Sequence, residues 1–109
     1  MICEAGDVVV VPFPFTDSAE TKRRPALILS PAEFNRQSGH SVMAMITSAN
    51  RSSWPGDVAI RSSNAGLRMP CVVRMKLFTL DNRLIAKTIG RLPEQEWAQV
   101  RGFLDGLLR

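Results

Sequence analysis

The sequence predicts an α+β fold, with a mainly antiparallel, barrel-like sheet and one helix at the C-terminal end. Short apolar runs recur between clusters of Pro, Gly, Ser and Asn, a pattern typical of strands joined by turns. An extended helical periodicity begins only at Pro93. Because the strand pattern is not interrupted by long helices before that point, a parallel sheet is not expected.

The first two strands are predicted to form a hairpin. Val8 to Val11 are β-branched, and the prolines that follow at positions 12 and 14 confine this strand to an edge or end it early. Ala26 to Leu29 form a second apolar run that is bounded by prolines on both sides. Residues 16–21 are polar and turn-prone, so we expect them to join the two strands.

Further short elements are predicted beyond the hairpin. Ser30, Pro31 and Glu33 have the spacing of an N-cap, a proline at the first helical position and an acid in the first turn, which predicts a single helical turn. Strands are predicted over residues 41–48, 57–60 and 71–80, and residues 84–92 are expected to add one more short strand or a turn.

The C-terminal helix is predicted to begin at Pro93 and to pack on the sheet. Glu94 and Glu96 lie in its first turn, where the helix dipole favours acids. An apolar stripe with helical periodicity follows, and we expect all of it in the core: Trp97, Val100, Phe103, Leu104, Leu107 and Leu108.

Length and composition predict one small domain that spans residues 1–109. Hydrophobic residues make up 45% and charged residues 22%, which is ordinary for a folded domain, and no apolar run approaches the roughly 18 residues of a membrane span. Glu4 and Asp7 lie where a secretory signal would carry lysines. We therefore expect a cytoplasmic protein that makes no membrane contact.

The residue types that bind metals are few. Cys3 and Cys71 are far apart, and His40 is the only histidine in the sequence. A zinc site is not expected, and neither is another metal or a cofactor. In a cytoplasmic protein both cysteines are interpreted as reduced thiols, with Cys71 buried. His40 is interpreted as an exposed loop residue and not as a catalytic one.

Positive charge is concentrated before the second strand. A net charge of +4 and a pI of about 9.8 favour a polyanionic partner, either a nucleic acid or an acidic protein segment. Lys22, Arg23 and Arg24 lead directly into Pro25, which restricts Arg24 to extended backbone and fixes its guanidinium at the mouth of the strand. That guanidinium suits phosphate or carboxylate, although a solvated turn would have the same composition.

Two further features are compatible with nucleic-acid binding and with a structural role. Alternation over residues 71–80 places Arg74 and Lys76 side by side, as phosphate contacts or as a solvated face. Trp54 is either an anchor packed on the sheet or a platform on which a base stacks, and we favour the anchor.

The ordered segments GDVVVVPFPFTD, KRRPALILS, PAEFNR, MITSA and VVR, followed by an amphipathic helix, resemble the MazF/PemK (Kid) toxins of type II toxin-antitoxin systems. The resemblance covers essentially the whole chain. It implies an SH3-like barrel of the CcdB/Kid/MazF type and a homodimer. It also implies a metal-independent, sequence-specific endoribonuclease that cleaves single-stranded RNA or mRNA, and an acidic MazE/PemI-like antitoxin that silences it.

The resemblance also implies site residues. Arg24 matches the catalytic arginine of the family's RP motif, and Thr47 matches the catalytic threonine of the ITS motif. Arg74 lies where the PemK/Kid branch has a catalytic arginine, but Lys76 replaces an aspartate of that branch, and Glu20 lies near a loop acid of some members. The expected RNA-binding residues are Phe15, Lys22, Arg23, Ser48, Arg51 and Lys76.

The chemistry expected of such an enzyme is attack by the RNA 2′-OH on the adjacent phosphorus, which leaves a 2′,3′-cyclic phosphate. Arg24 would stabilise the developing charge, and Thr47 would donate to the phosphate or position the 2′-OH. Glu20 or Asp17 is a candidate base. Two other functions stay open: a CcdB-like, gyrase-binding toxin without enzymatic activity, and an inactive member that only binds nucleic acid or antitoxin.

The bases around the cleavage site are expected to be read by three loops. These are residues 16–22, 49–56 and 61–69, which would contact unpaired bases by stacking and by hydrogen bonds to their edges.

Overall fold

The computed structural model describes residues 1–13, 22–49, 53–61 and 65–109, and these contain six strands and two α-helices. The strands are Asp7–Phe13 (β1), Lys22–Ile28 (β2), His40–Ser48 (β3), Val58–Ile60 (β4), Cys71–Asp81 (β5) and Lys87–Arg91 (β6). The helices are Ala32–Ser38 (α1) and Glu94–Leu107 (α2), and one 3₁₀ turn covers Asn82–Leu84.

All strands pair antiparallel in one curled sheet, a half-barrel with the strand order β4-β5-β3-β2-β1-β6. The predicted α+β class is therefore confirmed. α2 is not long and apolar enough to cross a membrane, and neither is the other described helix.

The two faces of the sheet bury separate apolar clusters, because successive strand residues point to opposite sides. Val8 packs in the first cluster, whereas Val9 and Val11 pack in the second. The first cluster lies under α2 and includes Leu27, Ala44, Ile46, Val58, Val73 and Val100. The second includes Cys3, Ala26, Ile28, Met43, Leu80 and Ile85. Both clusters are continuous across the central strands, so β2 and β3 are held rigidly from two sides.

The first two strands are longer than predicted, and each contains a proline. β1 continues through Pro12, and β2 begins at Lys22 and passes through Pro25, so the interpretation of residues 22–24 as a loop is wrong. The first half of β2 pairs with β1 alone, in a register that matches Pro25 with Val10. A proline is tolerated there because its missing N–H faces the side without a neighbouring strand.

Ser30 has a tertiary role and does not cap α1. The N-cap residue is Pro31, and no side chain caps the helix. The buried Ser30 hydroxyl donates to the side-chain oxygen of Asn35 and accepts from the backbone N–H of Val42, at 2.9 Å. These bonds join α1 to β3. They use the Ser30 hydroxyl, which the local sequence predicted to be the N-cap group of α1.

The apolar stripe of α2 is buried only in its first half. Val100 is fully buried, and Trp97 and Leu104 pack partly against the first cluster. The prediction that the whole stripe is core is wrong for Phe103, Leu107 and Leu108, which are 48%, 55% and 72% exposed. Periodicity identifies the apolar side of a helix, but it cannot show how far the neighbouring strands extend beneath it. In addition, α2 begins at Glu94, with Pro93 as its N-cap residue.

Candidate active site

Strands β2 and β3 separate at the basic segment and form a fork. They pair only where Ala26–Ile28 face Met43–Met45. Beyond this point the first half of β2 pairs with β1, and the end of β3 pairs with β5. Pro25 has no N–H to continue the ladder towards β3. If the register were extended across the fork, Arg24 would face Thr47.

A cleft of about 370 Å³ lies at this fork. That volume is within the range of about 300–1,000 Å³ that is typical of ligand pockets. Its lining consists of Arg24 and Pro25 from β2, Ile46, Thr47 and Ser48 from β3, and Leu67, Arg68, Met69 and Cys71 from the segment that leads into β5. The described lining thus combines two cations and two hydroxyls with no carboxylate, so the cleft favours an anionic ligand.

Arg24 is half-buried, and its guanidinium retains hydrogen-bonding capacity. The carbon at its centre lies 5.5 Å from the centre of the Phe13 ring, a cation–π distance. Its Nε is buried and has no hydrogen-bond partner among the described residues. A buried donor without a partner is costly. The side chain is thus held by packing, and it lines the cleft without a carboxylate partner among the described residues.

Thr47 and Ser48 supply the hydroxyl groups on the opposite side of the cleft. Both are half-buried, and their backbones are fixed by pairing with Val72 and Cys71 of β5. A hydroxyl can donate and accept a hydrogen bond. The site therefore places a guanidinium and hydroxyl groups on two strand ends that face each other.

Arg74 lies outside the cleft and is bound to a carboxylate. Its Nε and Nη2 donate to the two oxygens of Asp57 at 3.1 and 2.9 Å, and its side chain is 8% exposed. These hydrogen bonds raise the pKa of Arg74 above its usual range. A bidentate arginine–carboxylate pair occupies the donors that a phosphate would need. The structure therefore does not bring Arg74 together with Arg24 and Thr47.

Trp54 covers this ion pair from outside. The guanidinium of Arg74 lies 5.7 Å and the ammonium of Lys76 4.8 Å from the centre of its ring. The backbone N–H of Trp54 donates to a carboxylate oxygen of Asp57 at 3.1 Å. The ring is 40% exposed, but its contacts support the interpretation of Trp54 as an anchor.

The remaining predicted residues do not contribute to the described lining of the cleft. Lys22 and Arg23 are exposed on β2, and Lys76 is exposed beside Trp54. His40 is exposed at the start of β3, with its Nδ1 3.0 Å from the carbonyl oxygen of Ser38. The predictions for Phe15, Asp17, Glu20 and Arg51 lie outside the described residues.

The wall formed by Leu67, Arg68, Met69 and Cys71 was not predicted as a packed element, because residues 61–69 were interpreted only as a loop that contacts unpaired bases. Ala65 is fully buried in the first cluster, and Leu67 packs against it. These two apolar residues on either side of Gly66 were the signal that the segment packs on the core.

Both cysteines are free and buried, as predicted for Cys71. Burial raises the pKa of the Cys71 thiol, which makes it a poor nucleophile near neutral pH. No group of three or more His, Cys, Asp and Glu in the described part of the chain is placed to hold a metal ion.

Residues 4–108 match the family model of the PemK-like, MazF-like toxins of type II toxin-antitoxin systems. The chain belongs to this family. A comparison with curated protein sequences gives no significant match.

Solved structures of MazF toxins share the fold. A MazE-MazF structure from Deinococcus radiodurans is 32% identical, with a TM-score of 0.80, and the match covers 99% of this chain and 97% of that one. MazF from the same organism, crystallised in another form, is 29% identical with a TM-score of 0.78 and the same coverage. A mycobacterial endoribonuclease in complex with its cognate antitoxin is 20% identical, with a TM-score of 0.75 and coverage of 98% and 93%. The expected MazF-type architecture is confirmed.

Proposed function

We propose that this MazF/PemK toxin is a sequence-specific endoribonuclease that cleaves single-stranded RNA without a metal ion. The observation that carries the proposal is the fork between β2 and β3, where Arg24 and Thr47 line one cleft from opposite sides. The chemistry needs no bound cofactor, because the 2′-OH of the RNA is the nucleophile. Attack on the adjacent phosphorus forms the 2′,3′-cyclic phosphate, and the P–O bond to the next nucleotide breaks to release a 5′-OH.

Arg24 would stabilise the negative charge that builds on the phosphate during this attack. Its guanidinium is fixed over Phe13 before substrate binds, so little reorganisation is needed in the transition state. A non-bridging oxygen would accept from the part of the guanidinium that lines the cleft.

Thr47 would hold the reacting atoms in line. Its hydroxyl can donate to a phosphate oxygen or accept from the 2′-OH, and Ser48 offers a second hydroxyl beside it. Orientation of this kind lowers the barrier because the nucleophile and the phosphorus are already close together.

Proton transfer is assigned to the segment between β1 and β2. We propose Glu20 as the base, because it lies two residues before the strand that carries Arg24, with Asp17 as the other candidate. Arg74 would contribute by stabilising the strand next to the cleft and not by contact with the RNA, since its guanidinium is bound to Asp57.

The test of the proposal is the incubation of the protein with a labelled RNA in EDTA. Cleavage that leaves a 2′,3′-cyclic phosphate is expected, and an RNA with hydrogen in place of the 2′-OH at the cleavage site should resist. If the modified RNA is cut, or if cutting requires added magnesium, water is the nucleophile and the mechanism is wrong. Intact RNA together with inhibited gyrase would support a CcdB-like function.

We also propose that an acidic MazE/PemI-like antitoxin silences the toxin at this cleft. Among the related structures, those from Deinococcus radiodurans include MazE-MazF complexes. A disordered acidic segment suits the cations of the cleft as phosphates do. Inhibition by such a peptide should weaken as salt is raised. An acidic peptide that binds tightly while RNA cleavage continues unchanged would contradict a shared site.

A homodimer is the proposed assembly. The two outer strands of the sheet, β4 and β6, are short and leave backbone groups available for pairing, and several large apolar side chains of α2 are exposed. Light scattering at micromolar concentration should give twice the chain mass of 12.1 kDa. A monomer throughout that range would argue against it.

A further inference from the structure

The wall of the cleft opposite Arg24 is held in place by unusually close packing. Ala65 is completely buried in the first cluster, and Leu67 packs against the same cluster. Between them, Gly66 has a φ of +77°, and a Cβ atom there would overlap the backbone carbonyl oxygen of Ile89 in β6. The segment is therefore pressed against β6 at a point where only glycine fits.

The other end of the same segment is fixed to β3. The carbonyl oxygen of Pro70 accepts a hydrogen bond from the backbone N–H of Ala49 at 3.1 Å, and the next residue, Cys71, pairs with Ser48. Arg68 and Met69 thus lie between two attachment points that are close in sequence. Their backbone is ordered before any ligand binds, which lowers the entropy cost of binding.

Arg68 itself is exposed and has no acidic partner within the described residues. Many of the other arginines do have one: Arg36, Arg74, Arg83, Arg91, Arg101 and Arg109 are each ion-paired with a carboxylate. Arg68 lines the cleft together with Arg24, and the adjacent Met69 is 60% exposed. Because Arg68 has no acidic partner among the described residues, it does not stabilise the fold through an ion pair. Its position on the wall of the cleft suits contact with an anionic ligand.

We infer that Arg68 is a second phosphate-binding residue of the cleft, and that Met69 gives an apolar surface to the neighbouring base. This inference rests on the proposed ribonuclease function. Arg24 binds the phosphate that is cleaved, and Arg68 binds a phosphate next to it along the same strand. Because Arg68 touches no reacting atom, its contribution is to substrate binding and not to the chemical step.

The test compares Arg68→Gln with Arg36→Gln, a matched loss of one surface cation from α1, outside the cleft. The probe is a single-stranded oligonucleotide that carries the mapped cleavage site with a 2′-deoxy substitution, so that it binds without being cut. For Arg68→Gln we expect about tenfold weaker binding near physiological salt, and a slope of log K against log salt that is smaller by about 0.7. With cleavable RNA, KM should rise by a similar factor, and kcat should change less. Arg36→Gln should change neither the affinity nor the slope.

The outcomes separate this inference from the proposed function. If the wild type cleaves RNA and Arg68→Gln binds the probe with unchanged affinity and slope, the inference is wrong and the ribonuclease stands. If the wild type cleaves nothing, the probe is instead a 2′-deoxy oligonucleotide of mixed sequence. Binding of that probe with an Arg68-dependent slope would mean that the ribonuclease fails and the phosphate contact stands. If Arg68→Gln weakens the binding of an acidic peptide but not the binding of the oligonucleotide, the proposed contact between Arg68 and RNA is wrong. Melting curves of both variants must match the wild type, and a destabilised Arg68→Gln would be replaced by Arg68→Met, which also removes the charge and keeps a long side chain.

Discussion

Arg24 and Arg74 carry the same guanidinium group in opposite situations. Arg74 is almost fully buried, makes two hydrogen bonds to Asp57 and lies under the Trp54 ring. Arg24 is half-buried, stacks on Phe13 and has a buried Nε with no hydrogen-bond partner among the described residues. The comparison teaches that a cation held by packing alone is available for a substrate, whereas a cation bound to a carboxylate stabilises the fold.

The largest effect is expected for Arg24→Ala. Removal of one preorganised donor to the developing charge should lower cleavage by about 10²- to 10³-fold with the fold intact. Arg24→Lys keeps the charge but loses the planar guanidinium that can donate two parallel hydrogen bonds, so its activity should also fall well below wild type. Single-turnover cleavage rates measure both variants. Full activity in Arg24→Lys would show that charge alone is sufficient.

The hydroxyl on the other side of the fork is tested by Thr47→Val, which is nearly the same size. Loss of a hydrogen bond to a charged phosphate is worth about 1.5–3 kcal/mol, so the cleavage rate should fall by about 10- to 100-fold. The loss should be in kcat. A change in KM alone would place the hydroxyl in substrate binding and not in the chemical step.

Asp57→Asn tests the structural role of Arg74 without changing a residue of the cleft. It leaves Arg74 buried without its carboxylate, so we expect a melting temperature lower by roughly 5 to 10 °C. Cleavage at 20 °C should fall far less than in Arg24→Ala. If the melting temperature is unchanged while cleavage is lost, Arg74 belongs to the reaction and the comparison fails.

The wall of the cleft is tested with two glycines that share a left-handed backbone. Gly39 has a φ of +72° and open space around it, whereas Gly66 has a φ of +77° and contacts the backbone of Ile89. Gly39→Ala should cost about 1–2 kcal/mol for the backbone alone. Gly66→Ala should cost more and should also weaken RNA binding. Denaturant melts together with RNA affinity distinguish the two. If the two substitutions lower the stability and the RNA affinity equally, the close packing of Gly66 against β6 does not contribute to the cleft.

The smallest effect concerns the Cys71 thiol, studied with Cys3→Ser so that a single thiol remains. Because burial raises its pKa, the reactive thiolate should be scarce at pH 7.5, and alkylation should become faster as the pH is raised. Bound non-cleavable RNA should slow the reaction further, since Cys71 lines the cleft. Rapid alkylation at neutral pH would contradict this environment.

Arg24 next to Pro25 is a local signal of an anion site, whereas Thr47 was identified only by the resemblance to the family. Both line the cleft, but neither signal predicted their arrangement. Arg24 and Thr47 lie opposite each other because the pairing of β2 with β3 ends at Ala26. Pro25 explains why the pairing ends there, but only once the register of the two strands is known. The partner of Arg74 is 17 residues away along the chain, and no periodicity indicates it.

The same distinction explains the misassigned elements. Ser30 has the local pattern of an N-cap, but tertiary hydrogen bonds to α1 and β3 determine its role. The wall around Arg68 rests on contact between Gly66 and β6, more than 20 positions further along the chain. Apolar runs predicted the buried parts of the first strands, because both faces of the sheet pack on apolar clusters. Alternation over residues 71–80 did not predict burial, since Cys71 to Arg74 are all buried and Leu77 is 37% exposed.

The contact of Gly66 with Ile89 also sets an order of events during synthesis. Arg24 and Thr47 are made early, but the wall that completes the cleft has nothing to rest on until β6 has been made. At about 5–20 residues per second, the ribosome needs roughly one to four seconds for the intervening stretch. A nascent chain therefore carries the groups of the proposed site before the wall of the cleft has its support, and the cleft is complete only near the end of synthesis.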